Sequence, residues 1–172
     1  NLAEDDELVD VALTDGNCEV ILVTTKGQAI RFSEDDVRPM GRATRGVKGI
    51  TLEKDDHVVG FDVVEPNKDL LVATTTGYGK RTALSEYRMI RRGGKGVRTL
   101  QMTHRNGDIA GVTVVDEADE IMFITMEGIM IRMSVSDISS MGRTTQGVRL
   151  MKLEENDSLV ALAHVVRQED GD

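Results

Sequence analysis

The densest chemistry in this chain lies in a basic, glycine-rich stretch, Ile90-Arg91-Arg92-Gly93-Gly94-Lys95-Gly96-Val97. Glycines let a backbone approach a ligand closely and adopt φ > 0. Free N–H groups in such a turn form a concavity that suits an anion. Arg91, Arg92 and Lys95 add charge-assisted donors that match phosphate oxygens. The same glycines also suit a loop that must pack tightly on a neighbouring unit. The stretch is not a P-loop, which needs G-x-x-x-x-G-K-[ST] ahead of a helix; Val97 instead leads Gly96 into a strand-like run. Gly77-Tyr78-Gly79-Lys80-Arg81 also lies between strand-like runs, so it is not a dinucleotide fingerprint.

Basic residues recur around two weaker copies of this loop. Arg42, Arg45 and Lys48 surround Gly46-Val47, and Arg143 and Arg149 surround Gly147-Val148. The formal net charge of −9 discourages a polyanionic partner, but the charge is unevenly placed. From Gly77 to Arg105 the chain carries Lys80, Arg81, Arg88, Arg91, Arg92, Lys95, Arg98 and Arg105 against the single acid Glu86. The acids cluster elsewhere, as in Asp116–Glu120 and Glu154–Asp157. Salt screens distant charge within about 10 Å at 0.1 M, so a basic stripe acts locally despite an acidic total.

Catalytic constellations are absent by spacing. His57, His104 and His164 are far apart, and the Asp pairs at 5–6, 35–36 and 55–56 sit in polar, turn-like stretches. Cys18 is the single cysteine, which excludes an internal disulfide and reads as a structural thiol in a polar turn. With three Phe, two Tyr and no Trp, single-strand recognition by aromatic platforms is disfavoured. No apolar run is long enough to span a membrane. No cofactor and no metal is expected.

The elements that must position the basic loops repeat with a period of about 50 residues. Gly27, Gly77 and Gly128 each lie in a turn between apolar runs; Arg31, Arg81 and Arg132 follow four residues later. The Gly-Val pairs at 46, 96 and 147 keep the same offsets. Such periodicity marks a propeller or array in which each unit buries its apolar face on its neighbours. Within a unit the runs are short and β-branched, as in Ile109–Val115, Glu120–Thr125, Ile129–Met133 and Gly147–Leu153, giving four strands. One-turn helices are expected only at stretches such as Ser33–Val37 and Ser134–Ile138. The fold class is therefore all-β: three four-stranded blades at about 8–52, 58–102 and 108–153, then a strand of a further unit at 159–166 and an acidic tail at 167–172. Closed propellers have roughly four to eight blades, so three blades form a partial wheel. With no initiator Met, the chain reads as a piece of a longer array. Its free edges are expected near Leu8–Leu13 and Leu159–Val166.

Particular motifs carry a family resemblance over nearly the whole chain. They are Met40-Gly41-Arg42 with Thr44-Arg45-Gly46-Val47-Lys48-Gly49-Ile50; Gly77-Tyr78-Gly79-Lys80-Arg81-Thr82 with Glu86-Tyr87; and Val135-Ser136-Asp137-Ile138 with Gly142-Arg143-Thr144-Thr145-Gln146-Gly147-Val148. In these the chain resembles the C-terminal domains of DNA gyrase A and topoisomerase IV, in the order of the last three blades of six. The resemblance implies a β-pinwheel whose blades exchange strands and whose basic rim wraps duplex DNA. Arg91–Gly96 matches the family box Q-R-R-G-G-K-G except that Ile90 stands in place of Gln; by blade order the box proper lies upstream of Asn1.

The expected DNA contacts are Lys80, Arg81, Arg91, Arg92, Lys95 and Arg98, extended by Arg42, Arg45, Lys48, Arg143 and Arg149. The resemblance further implies a non-catalytic module of a bacterial, cytoplasmic type II topoisomerase. Its partners are duplex DNA, the rest of the gyrase A polypeptide and, through it, gyrase B. Tyr78 and Tyr87 match blade motifs, not the family's strand-cleaving tyrosine. The alternatives are a protein-interaction propeller without DNA binding and a small enzyme on a propeller scaffold.

Overall fold

Three β-hairpins with one turn chemistry organise the molecule, seen in a computed structural model that describes residues 2–165. Strands β1 (Glu19–Thr24) and β2 (Gln28–Ser33) form the first hairpin, β4 (Asp69–Thr74) and β5 (Tyr78–Ala83) the second, and β8 (Glu120–Thr125) and β9 (Met130–Ser134) the third. At each turn a buried threonine carbonyl (Thr24, Thr74, Thr125) accepts from the N–H of the glycine three residues on, at 3.0–3.1 Å. The same threonine's hydroxyl accepts from the next N–H, of Gln28, Tyr78 or Ile129, at 3.2 Å. Gly27, Gly77 and Gly128 take φ of +83°, +81° and +83°, a region costly to residues with a Cβ.

Each hairpin is followed by one turn of 3-10 helix: Glu34–Asp36, Leu84–Glu86 and Val135–Asp137. The first and third fall where the sequence places them.

The remaining strands are β3 (Val58–Val64), β6 (Val97–Arg98), β7 (Ile109–Val115), β10 (Val148–Arg149) and β11 (Leu159–Val165). They do not stay with the hairpin of their own repeat. The first sheet runs β3-β1-β2-β6, the second β10-β5-β4-β7 and the third β11-β8-β9. The second and third repeats thus lend their first and last strands to the sheet before them and keep only their hairpins. All pairings within the sheets are antiparallel; Leu22 faces Ile30 and Phe61, and Val72 faces Lys80 and Val112.

Strand exchange changes two details of the expected blades. The run 147–153 yields only the two-residue strand β10, because it lies along β5 for that length alone. The expected edge strand near Leu8–Leu13 does not form; these residues have no regular secondary structure, and Leu8 and Leu13 are 75% and 97% exposed. The third sheet has three strands among the described residues. The expected tail at 167–172, and Val166, lie outside the described residues.

The core sits between sheets. Ile21 and Val23 of β1 pack on Leu70 and Val72 of β4, closed by Leu84, Tyr87 and Leu100. Leu71 and Ala73 of β4 pack on Ile121 and Phe123 of β8, closed by Val135, Ile138 and Met151. Adjacent residues of β4 thus serve opposite interfaces, as the two-residue period of a strand dictates.

Candidate nucleic-acid interface

After the second and third 3-10 turns the chain crosses to the preceding sheet. Ile90 N–H donates to Arg31 O at 2.8 Å and Met141 N–H to Arg81 O at 2.9 Å. The glycine-rich loop then docks. Gly93 N–H donates to Gly49 O, Thr51 N–H to Gly94 O at 2.8 Å, and the Thr51 hydroxyl to Gly93 O at 2.7 Å. One repeat further on, Gln101 N–H donates to Thr145 O at 3.0 Å and Asn106 Nδ2 to Gln146 O at 3.2 Å. The loops around residues 46–51, 91–101 and 141–149 are therefore joined laterally into one strip, with a backbone fixed from blade to blade.

Two glycines show why the motif is glycine-rich. Gly96 and Gly147 both take φ of +75°, and a Cβ on Gly147 would lie 2.8 Å from Gly79 O. Gly93 N–H is occupied by Gly49 O. The loop glycines thus serve close packing between blades rather than an open anion nest.

The expected basic residues separate by burial. Arg42, Arg45, Lys48, Arg91, Lys95, Arg98 and Arg149 are exposed on the strip's loops and short strands. Arg92 is half-buried, its Nε donating to Asp36 O at 2.6 Å and its Nη1 to Lys48 O at 3.1 Å. Arg143 is also half-buried, with Nη1 on Arg98 O at 3.1 Å and its guanidinium 6.0 Å from the Tyr87 ring centroid. Arg149 stacks 5.5 Å from the Tyr78 ring centroid and donates to its hydroxyl, which orients the side chain while leaving it in solvent. A hollow of about 270 Å³ lies between Asp36, Arg91 and Arg92.

Lys80 and Arg81 sit inside the molecule instead of on the rim. Lys80 is completely buried, with Nζ donating to Gly142 O at 2.6 Å, Arg143 O at 2.8 Å and Thr145 Oγ1 at 3.1 Å. Burial pushes its pKa from 10.5 down to about 8, against the nearby Glu86 carboxylate, which raises it. The three acceptors favour the charged form at neutral pH. Arg81 donates to Asp69 at 2.8 Å, Glu117 at 2.9 Å and Ile138 O at 2.8 Å.

Both residues are clamps between blades, and the repeat carries the signal for each. The positions matching Lys80 are Ile30 and Ile131, which are apolar. The arginine repeats with a carboxylate twelve residues before it, as Glu19–Arg31, Asp69–Arg81 and Glu120–Arg132, and all three pairs form. The same offsets reveal Arg38 and Arg88, matching exposed residues outside the expected contact set.

Other polar groups have structural partners. Cys18 Sγ lies 3.3 Å from Asp15 Oδ1, and the Cys18 N–H donates to Glu34 Oε1, so the thiol belongs to a turn network with the two carboxylates. The Tyr87 hydroxyl is buried on Thr99, and burial raises its pKa to about 12. Among the described residues no helix is long and apolar enough to cross a membrane.

Comparison with known proteins places these features. Residues 19–65, 68–116 and 119–165 each match the family model described as the DNA gyrase C-terminal domain, beta-propeller. Each matched segment starts at a hairpin and ends after a strand lent by the following repeat. DNA gyrase A of Halalkalibacterium halodurans is 60% identical over 170 residues, covering 99% of this chain and 20% of that protein. Its counterpart in Escherichia coli is 44% identical over 169 residues, covering 98% and 19%. The chain thus spans about a fifth of the length of these relatives. The solved C-terminal domain of DNA topoisomerase IV superposes with a TM-score of 0.91 at 33% identity, covering 96% of this chain and 52% of that one. A DNA gyrase A C-terminal domain gives 0.83 at 30% identity, covering 87% and 51%.

Proposed function

The chain belongs to the family of the DNA gyrase C-terminal β-propeller domain, and on that basis we propose that it binds duplex DNA along the loop strip and bends it from blade to blade. The observation that carries this reading is the set of exposed cations, Arg42, Arg45, Lys48, Arg91, Lys95, Arg98 and Arg149, on loops that backbone hydrogen bonds join across the three blades. A chain of net charge −9 keeps these cations together on one continuous feature. Phosphate contacts from such a strip are sequence-independent and position the duplex. Bending 20–30 bp by 40–90° costs on the order of 1–6 kcal/mol, which several contacts spread over successive blades offset.

Lys80 and Arg81 take no part in contact; they hold the loop of the third repeat in place. Arg92 and Arg143 bridge loop to loop and shape the strip from beneath. In this reading the chain is a non-catalytic part of DNA gyrase A in a bacterial cytoplasm. It guides DNA for a type II topoisomerase reaction completed by the rest of that polypeptide and by gyrase B. The test is a mobility-shift titration with several unrelated duplexes, using the chain and its Arg91→Glu/Lys95→Glu/Arg98→Glu variant. The expected result is a loss of affinity of similar size on every duplex. Equal affinity of the two proteins refutes the strip as the DNA site.

A further inference from the structure

The linker that follows the second loop of the strip is built differently from the other two. From Gly46 to Val58 and from Gly147 to Leu159 the chain advances 12 residues; from Gly96 to Ile109 it advances 13. Two residues before the strand, the outer linkers carry an aspartate. Asp56 Oδ1 accepts from the Thr25 hydroxyl and from the Lys26 and His57 N–H groups, each at 2.9 Å. Asp157 Oδ1 accepts from the Glu127 and Ser158 N–H groups at 3.1 and 2.8 Å. Each aspartate thereby caps the hairpin turn beside it. Gly107 stands at that position in the middle linker, with φ +59°, and a Cβ there would lie 2.5 Å from the Thr75 hydroxyl oxygen. No side chain fits between this linker and its turn.

Asn106 uses the extra length to bond elsewhere. It is 1% exposed and fully paired: Oδ1 accepts from the Thr103 N–H at 2.7 Å and hydroxyl at 3.1 Å, and Nδ2 donates to Gln101 O at 2.9 Å and Gln146 O at 3.2 Å. The Thr76 hydroxyl donates to Arg105 O at 2.8 Å. The middle linker is thus tied to the third loop of the strip, at Gln146, and to the second hairpin turn. Between these ties Arg105 is exposed, and among the described residues its guanidinium has no partner. Asp108, the nearest acid along the chain, is engaged by Lys26 at 3.1 Å.

Charge makes this linker part of the strip. Residues 99–107 contain no acid, whereas the outer linkers carry Glu53, Asp55 and Asp56, and Glu154, Glu155 and Asp157. Gln146 stands where the other two loops have Arg45 and Lys95, and Ser139 where they have Arg38 and Arg88, so the third loop is the one short of cations. We infer that Arg105 contacts a phosphate of the duplex where the second blade meets the third, and that Asn106 positions it there. A guanidinium matches phosphate oxygens in geometry and charge. The inference rests on the strip being the DNA site and adds to it a contact from outside the repeated loops.

Duplex affinity of the 172-residue chain across a salt series tests it. Arg105→Ala is expected to weaken binding to unrelated duplexes alike and to make the slope of log affinity against log salt shallower by about 0.9, the value of one phosphate. Asn106→Ala leaves the net charge unchanged and is expected to reduce the slope as well. Made in the Arg105→Ala background, it is expected to change neither slope nor affinity further, the coupling that a double-mutant cycle measures. An equal loss in both backgrounds removes the positioning role. Arg105 is exposed, so Arg105→Ala decides the contact even if loss of the buried Asn106 unfolds the linker. An Arg105→Ala variant with the parent's slope, while Arg91→Glu/Lys95→Glu/Arg98→Glu loses affinity, overturns this contact and leaves the strip standing. A parent that binds no duplex, or a triple variant that binds like the parent, refutes the strip and this contact with it.

Discussion

Gly46-Val47-Lys48 and Gly96-Val97-Arg98 carry nearly the same sequence but have different structures. The second is a strand, laid on Gln28 and Ala29 of the neighbouring hairpin. The first is coil, with its glycine in the same left-handed conformation and open space around it. The same contrast separates residues 8–14, which have no regular structure, from β3, which pairs with β1 along most of its length. A strand in this fold is thus a property of a pair of repeats, since the ladder partner and not the local sequence supplies the hydrogen bonds. The docked region should behave as core and the undocked region as surface, although their residues match.

The largest contrast is expected at the repeated arginine. Arg81 and its partner Asp69 have side chains only 13% and 17% exposed. Arg81→Ala leaves that carboxylate buried without its partner, a change that costs about 3–5 kcal/mol. In the Arg132–Glu120 pair the arginine is 54% exposed although the carboxylate is only 18% exposed, so Arg132→Ala is expected to lower the urea midpoint less than Arg81→Ala. Equal shifts in the two variants contradict the division into docked and undocked repeats.

A smaller effect separates the loop glycines. Alanine at Gly147 meets both a left-handed conformation, costing about 1–2 kcal/mol, and the Gly79 carbonyl at 2.8 Å. Alanine at Gly46 meets only the conformational cost, because nothing lies within 4 Å. Gly147→Ala is therefore expected to lower the unfolding midpoint more than Gly46→Ala. The reverse order breaks the comparison.

The smallest effect is a pH dependence at Lys80. Its folded pKa of about 8 lies below the ordinary 10.5. Between those values the unfolded chain binds the proton that the folded chain has lost, so this group makes stability rise with pH there. Below about 8 both states are protonated and its contribution is flat. Unfolding free energies across that window, compared between the parent and Lys80→Met, isolate the group. A parent-minus-variant difference that falls with rising pH contradicts a depressed lysine.

Local chemistry in the sequence was readable because it is local. The threonine–glycine turns, the hairpins they close and two of the three 3-10 turns depend on residues a few positions apart. Strand exchange between blades was legible only through the family resemblance; which strands move, β6 and β10 onto earlier hairpins, was not readable from local sequence, because Val97 and Ala29 meet only through the packing of two blades. The basic loops were legible as a set. The inward turn of Lys80 was masked by its charge, although Ile30 and Ile131 at the matching positions mark that site as buried. Arg92 illustrates the remaining difficulty: Arg91 beside it is exposed, and only the tertiary contact with Asp36 O and Lys48 O tells them apart.

The salt dependence of duplex binding tests the DNA reading most directly. Log affinity falls with log salt with a slope of about −0.9 for each phosphate neutralised. The parent is expected to give a steep slope, and Arg91→Glu/Lys95→Glu/Arg98→Glu a slope shallower by about 2.7 if each cation meets one phosphate. A parent whose affinity does not change with salt, or a variant with the parent's slope, contradicts DNA binding along this strip.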